Sequence, residues 1–143
     1  GLFATEGTVK SNSYALEIQK CFPEVQLTQE ACPMWVPLVE SDEYTHPGSS
    51  YFIQKHIQHL MDTDPKIDTI LLGCTHYPLI ENEIKEVLGN VCFFNGAPYL
   101  AKHLKTVLIE NNLINTKRLN GNISFFDSNN SEVKKNRFFS YIS

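Results

Sequence analysis

Apolar and polar residues along the chain form two kinds of alternating segment. Short, mostly apolar runs bounded by turn residues predict β-strands. These strands are expected at residues 1–5, 25–27, 67–72, 91–94 and 123–126. The run at 67–72 is typical of a strand that is buried on both faces of a parallel sheet.

Between the predicted strands, apolar residues recur at helical spacing, most clearly in the segment from 52 to 61. Pro78 suits the first turn of a helix, and Gly89 suits a helix end. The predicted helices cover residues 9–20, 52–61, 78–88, 100–108 and 130–141. Strands that alternate with helices predict an α/β fold with a largely parallel sheet.

Charge and composition narrow the classes of partner. The chain has 143 residues and a formal net charge of −4, and its 12 Lys and Arg residues are spread out. Because nucleic acids and anionic membranes require a basic face, we expect neither as a partner. The sequence has no apolar run of the length that a membrane-spanning helix needs.

The four cysteines are scattered, and none forms a C-x-x-C pair. This spacing does not suit a structural zinc site, which recruits closely spaced pairs. Reduced thiols in a cytoplasmic protein are therefore expected. Cys32, in an apolar segment with prolines, is expected to be structural, and Cys92 is expected to lie in the core.

Two polar turns follow predicted strands: Thr5 to Thr8, and Cys74 to His76. Ligands of parallel α/β sheets gather at the carboxyl ends of strands. A thiol at a strand-to-helix turn lies near free backbone N–H groups, which favour the thiolate, and His76 could accept its proton. From these residues alone, Cys74 could equally be a small buried side chain and His76 a helix cap.

Three segments, in order, resemble the glutamate racemases of the aspartate/glutamate racemase superfamily. The run ILLGCTHYPL at 70–79 resembles their second-cysteine motif. The run ATEGTVKS at 4–11 resembles their threonine-containing substrate loop, and ACPMWVPLVE at 31–40 resembles the segment that ends in a functional glutamate. The resemblance covers residues 1 to 95 well and the remainder loosely.

The resemblance implies cofactor-independent interconversion of L- and D-glutamate, without a metal, to supply D-glutamate for bacterial peptidoglycan. Cys74 would transfer a proton on one face of the substrate, and His76 and Glu40 would tune or relay that proton. Substrate-binding roles are implied for three threonines, Thr5, Thr8 and Thr75. Glutamate is the expected small-molecule partner, the cytoplasm is the expected location, and a homodimer is compatible with the resemblance.

The family's first cysteine, which is followed by Asn and Thr, has no counterpart in this sequence. We therefore expect the chain to carry one of two catalytic cysteines, to lack about two-fifths of the enzyme, and to be inactive alone. The strand-like start at Gly1 favours the same expectation. The implied architecture has two lobes: residues 1–96 form most of the second lobe, and residues 97–143 return to the first.

Other hypotheses remain open at this point. The substrate could be aspartate or another amino acid, since the pocket contacts that set substrate size include the missing first lobe. The chain could also be a non-catalytic α/β module that binds a carboxylate ligand. A thiol hydrolase that uses Cys74 and His76 is less well supported, because no orienting partner or oxyanion hole is indicated.

Overall fold

A computed structural model describes residues 1–115 and 121–142 of the chain. Contacts within the chain divide it into two compact units, Gly1–Val107 and Leu108–Ser143. The assignment of residues 97–143 to another lobe stays a prediction.

The first unit contains a four-stranded parallel sheet. Its strands are β1 (Leu2–Ala4), β2 (Gln29–Ala31), β3 (Thr69–Leu72) and β4 (Cys92–Asn95). Their order across the sheet is β2-β1-β3-β4. This arrangement confirms the predicted α/β fold with a parallel sheet.

Helices connect the strands, as expected for parallel neighbours. The connecting helices are α1 (Glu6–Ser11), α2 (Ser13–Cys21), α3 (Trp35–Glu40), α4 (Ser50–Thr63) and α5 (Glu81–Leu88), with 3₁₀ turns at Pro47–Ser49 and Tyr77–Ile80. A further helix, α6 (Gly96–Glu110), follows β4. The single helix predicted over 9–20 is instead divided at Asn12, whose φ of 54° is left-handed. Asparagine tolerates this conformation, which ends α1 and redirects the chain into α2.

Two strand predictions are wrong. The strand expected at 25–27 lies at β2 instead, where the central residue is the buried Glu30. A carboxylate in a strand of this kind requires partners that a local pattern does not reveal. The segment 123–126 forms no strand in the described part of the chain, and its Phe126 is 90% exposed.

Three aromatic side chains form the centre of the core in the first unit. Trp35 lies with its ring centroid 4.8 Å from that of Phe3 and 5.0 Å from that of Tyr77. The apolar face predicted for the 52–61 segment is buried against them in α4, through Ile53 and Ile57. The core therefore packs one face of the sheet against the segments that follow the carboxyl ends of β2 and β3.

The second unit contains α7 (Glu132–Ile142), close to the helix predicted at 130–141. The Asp127 carboxylate accepts a hydrogen bond from the backbone N–H of Ser131 at 3.2 Å, just before the helix begins. Within the unit, the Phe138 ring lies 5.3 Å from that of Phe125. None of the helices in the described residues combines the length and apolar character that a membrane span requires.

Candidate active site

The strand order places a crevice at the carboxyl ends of β1 and β3. The connection that leaves β1 leads to β2 on one side of the sheet, and the connection that leaves β3 leads to β4 on the other side. Connections diverge at this position, and open parallel sheets bind ligands where they do so. Thr5 follows β1 directly, and Cys74 follows β3 after Gly73. The two predicted polar turns therefore lie at neighbouring strand ends.

Gly73 allows the two strand ends to approach closely. Its backbone N–H donates to the Phe3 carbonyl at 2.9 Å. A Cβ atom at position 73 would lie 2.7 Å from Leu2 Cδ1 and 3.3 Å from the Phe3 carbonyl oxygen. Since Cβ atoms essentially never approach another heavy atom as closely as 2.7 Å, a larger residue would force either the buried Leu2 side chain or the start of the Cys74 turn to shift.

A thiol, an imidazole and a carboxylate form a continuous chain at this turn. Cys74 Sγ lies 3.9 Å from His76 Nδ1, and His76 Nε2 lies 2.7 Å from Glu40 Oε1. When Nε2–H donates to Glu40, neutral His76 has its lone pair on Nδ1, the nitrogen that faces the thiol. His76 can then accept the thiol proton, and Glu40 can stabilise the imidazolium that results.

The structure thus brings together all three predicted catalytic residues, although their roles stay predictions. Glu40 is the last residue of α3 and lies 36 residues from His76 in the chain. Thr75, predicted to bind substrate, is exposed, and its Oγ1 lies 3.5 Å from His76 Nδ1. Cys74 itself is partly buried.

The two remaining predicted binding residues form a hydroxyl pair at the start of α1. Thr5 Oγ1 lies 2.9 Å from Thr8 Oγ1 and accepts from the Thr8 backbone N–H at 3.4 Å. Thr5 is therefore the N-cap of α1. Glu6, in the same turn, is exposed and pairs with Lys10 at 3.9 Å, which agrees with a solvated turn residue.

The local environment of Cys74 differs from the expected helix N-terminus. Cys74 lies in a bend, the next two residues form a turn that leads into the 3₁₀ turn Tyr77–Ile80, and α5 begins only at Glu81. A single 3₁₀ turn supplies fewer aligned peptide dipoles than an α-helix. The His76–Glu40 pair is therefore the polar arrangement on which the proposed activation of the thiol depends.

The other cysteines occupy different environments. Cys32 is fully buried as predicted, and burial, reinforced by nearby Glu30 and Cys74, raises the pKa of its thiol. Cys21 is exposed. Cys92 is also exposed, contrary to the expected core position, because it lies on the edge strand β4.

A second polar cluster, on β2 and α4, was not predicted from the sequence. Glu30 binds His56 Nδ1 through Oε1 and His59 Nδ1 through Oε2, each at 2.6 Å. The signal was present in the sequence, since histidines three residues apart lie on one helix face. Within residues 1–115 and 121–142, no group of three or more His, Cys, Asp or Glu side chains is placed to hold a metal ion.

The sequence is similar to those of bacterial glutamate racemases. The glutamate racemase of Thermoanaerobacter sp. (strain X514) is 37% identical over 133 residues, which cover 92% of this chain and 49% of that protein. The enzyme of Neisseria meningitidis serogroup A is 34% identical over 128 residues, covering 90% and 47%. The chain spans about half the length of the curated relatives it matches. No protein-family model matches the chain.

The fold is similar to those of solved glutamate racemases. The Francisella tularensis enzyme in complex with D-glutamate matches with a TM-score of 0.76 and 30% identity, over 82% of this chain and 44% of that one. The Thermus thermophilus enzyme in complex with β-chloro-D-alanine matches with a TM-score of 0.69 and 30% identity, over 82% and 42%. The predicted resemblance to glutamate racemases is therefore confirmed.

Proposed function

Because the chain is similar to glutamate racemases over about half of their length, we propose that it supplies one side of a glutamate racemase active site. The observation that carries this proposal is the Cys74–His76–Glu40 chain at the carboxyl end of β3. The D-glutamate bound by the Francisella tularensis relative supports glutamate as the substrate.

In the proposed reaction, the Cys74 thiolate removes the proton from Cα on one face of glutamate. A second thiol delivers a proton to the opposite face, which inverts the centre. In the reverse direction, Cys74 Sγ–H donates the proton. His76 holds and returns the thiol proton through Nδ1, and Glu40 stabilises the imidazolium. Thr5, Thr8 and Thr75 hold the substrate's carboxylate and ammonium groups, since positioned polar groups stabilise developing negative charge.

The second thiol is proposed to lie outside these 143 residues, because the other cysteines are poorly located. Cys32 is completely buried. Cys92 begins β4 and therefore lies at the amino end of the sheet, opposite the site. Cys21 is the last residue of α2. The next residue, Phe22, lines a cavity of about 830 Å³ together with Thr69, the first residue of β3. Cys21 is therefore also close to the amino end of the sheet.

The exposed apolar residues after position 96 support the proposal that the whole enzyme has another lobe, the first lobe, that covers them. Leu100 and Leu104 on α6 are exposed, as is Phe126 in the second unit. Exposed apolar surface of this kind marks an interaction site. We therefore keep the proposal that residues 97–143 belong to the first lobe of the whole enzyme. That enzyme would act in the cytoplasm and supply D-glutamate for peptidoglycan, and a homodimer is compatible with this role.

The substrate is tested with the full-length protein that contains this chain. Each enantiomer of glutamate and aspartate is incubated separately, and the optical rotation is followed to equilibrium. Glutamate is expected to racemise with a kcat/KM at least tenfold above that of aspartate. A preference for aspartate would show that aspartate, and not glutamate, is the substrate, and it would leave the proposed two-thiol chemistry unchanged. Binding of either acid without any racemisation would instead indicate a non-catalytic ligand-binding module.

A further inference from the structure

The side chain of Tyr77 connects the three segments that form the candidate site. Tyr77 follows His76 directly, and its backbone N–H donates to the Cys74 carbonyl at 3.2 Å. Its buried hydroxyl donates to the Cys32 carbonyl at 3.1 Å, across 45 residues of sequence. One residue thus binds both the Cys74 turn and the segment that leads into α3.

The Cys32 backbone extends this connection to the third segment. Its N–H donates to the Ala4 carbonyl at 2.9 Å, immediately before Thr5. Its carbonyl accepts from the Trp35 backbone N–H at 3.3 Å as well as from the Tyr77 hydroxyl. The carboxyl ends of β1 and β2 and the turn after β3 are therefore joined through a single peptide segment.

Ring packing and an indole hydrogen bond fix the start of α3. The rings of Trp35 and Tyr77 meet edge to face, with centroids 5.0 Å apart. The Trp35 indole Nε1–H also donates to the Phe52 carbonyl at 3.2 Å, which ties the start of α3 to α4. Glu40, the carboxylate that binds His76, is the last residue of the same six-residue helix.

We propose that Tyr77 is a positioning residue that holds His76 between the Cys74 thiol and the Glu40 carboxylate. Tyr77 acts through two segments at once: it fixes the backbone beside His76, and through Cys32 and Trp35 it fixes the helix that carries Glu40. A shift of either segment lengthens the contact between His76 and Glu40 or the one between His76 and the thiol. The inference rests on the proposed function, because this proton path matters for catalysis only if Cys74 transfers a proton.

The positioning role can be separated from a purely structural one. In Tyr77→Phe, the ring and its contact with Trp35 remain. The Cys32 carbonyl still accepts from the Trp35 N–H, so no buried acceptor is left without a partner. The fold should therefore tolerate the loss of the hydroxyl, while the hydrogen bond between the two segments is removed and the ring contact with Trp35 is kept. Tyr51→Phe is a matched control, because it deletes the same atom from a tyrosine that is 63% exposed.

The test measures alkylation of Cys74 by iodoacetamide across neutral and alkaline pH in the full-length protein that contains this chain, with each modified peptide quantified by mass spectrometry. The exposed Cys21 and Cys92 are internal references. Tyr77→Phe is expected to lower the Cys74 rate about fivefold at neutral pH and to displace its pH profile upward, in line with the loss of one hydrogen bond. Tyr51→Phe should leave the Cys74 profile unchanged.

A double-mutant cycle with Glu40→Gln identifies the route. If Tyr77 acts by placing Glu40 and His76, Tyr77→Phe should add little once Glu40→Gln is present. The inference is overturned if Tyr77→Phe changes only the melting temperature, or if the two effects multiply independently. Alkylation requires no turnover, so this result stands apart from the racemisation assay, whose failure would refute the proposed function alone.

Discussion

His76 contacts two groups of different chemistry, a thiol sulfur at 3.9 Å and a carboxylate oxygen at 2.7 Å. An imidazole between such groups can take a proton from the thiol, because the carboxylate stabilises the positive charge that it acquires. The imidazolium in turn stabilises the thiolate. We therefore predict that Glu40 influences Cys74 through His76.

Glu40→Gln tests this indirect influence. The amide can still accept the hydrogen bond from Nε2–H, but it no longer balances the imidazolium charge. We expect kcat of the full-length protein to fall about tenfold, equivalent to about 1.4 kcal/mol, with little change in KM. Glu43→Gln is the control, since Glu43 forms an exposed pair with His46 at 3.7 Å. An unchanged kcat in Glu40→Gln would contradict the role.

Burial of Cys32 predicts a loss of stability at alkaline pH. The pKa of its thiol is raised in the folded chain from an ordinary value of 9.0, chiefly by burial. Above that pH, the unfolded chain releases the thiol proton and the folded chain retains it, so the free energy of unfolding falls as pH rises. Urea titrations across this range should show a shallower fall for Cys32→Ala than for Cys92→Ala. Equal slopes would contradict the assignment of this pH dependence to the Cys32 thiol.

At the scale of elements, β2 is joined to α4 by a carboxylate rather than by apolar contacts alone. The Glu30 side chain is 11% exposed and binds two imidazoles. Charged groups at this depth are retained when their hydrogen-bonding capacity is satisfied. The pair of histidines thus explains why an acidic residue can occupy the middle of a buried strand.

The two histidines should contribute unequally to stability. The His56 side chain is 12% exposed and that of His59 is 70% exposed, although both bind Glu30 at 2.6 Å. We expect His56→Ala to lower the free energy of unfolding by about 2–3 kcal/mol, because a buried, charge-assisted bond and ring packing are lost. His59→Ala should cost about 0.5–1 kcal/mol. Urea denaturation of the two variants measures the difference, and equal losses would refute it.

This cluster also marks the limit of what the sequence could predict. Apolar runs located β1, β3 and β4, and the family resemblance assigned both Glu40 and His76 to the proton of Cys74. The same patterns misplaced β2, because Glu30 is polar and its partners lie 26 and 29 residues away. Local periodicity reports the face that a residue presents, whereas contacts between distant segments depend on the assembled fold.

At the scale of the whole molecule, the chain spans about half of its racemase relatives, at 49% of the Thermoanaerobacter enzyme. A two-thiol inversion requires groups on both faces of Cα, because one group cannot reach both. We therefore expect the purified 143-residue chain to show no racemisation of glutamate. Polarimetry with a high protein concentration provides the measurement, and turnover that survives repurification would contradict the expectation.

The most direct test of the central claim follows deuterium at Cα in heavy water. The full-length protein is incubated with L-glutamate and, separately, with D-glutamate, and Cα exchange and inversion are monitored by proton NMR. Cys74→Ser is compared with Cys92→Ser, an exposed thiol at the opposite end of the sheet. We predict that Cys74→Ser lowers the rate of inversion by about 10³-fold or more, while Cys92→Ser leaves it unchanged. Inversion by Cys74→Ser at a rate close to that of the unmodified protein would contradict the account.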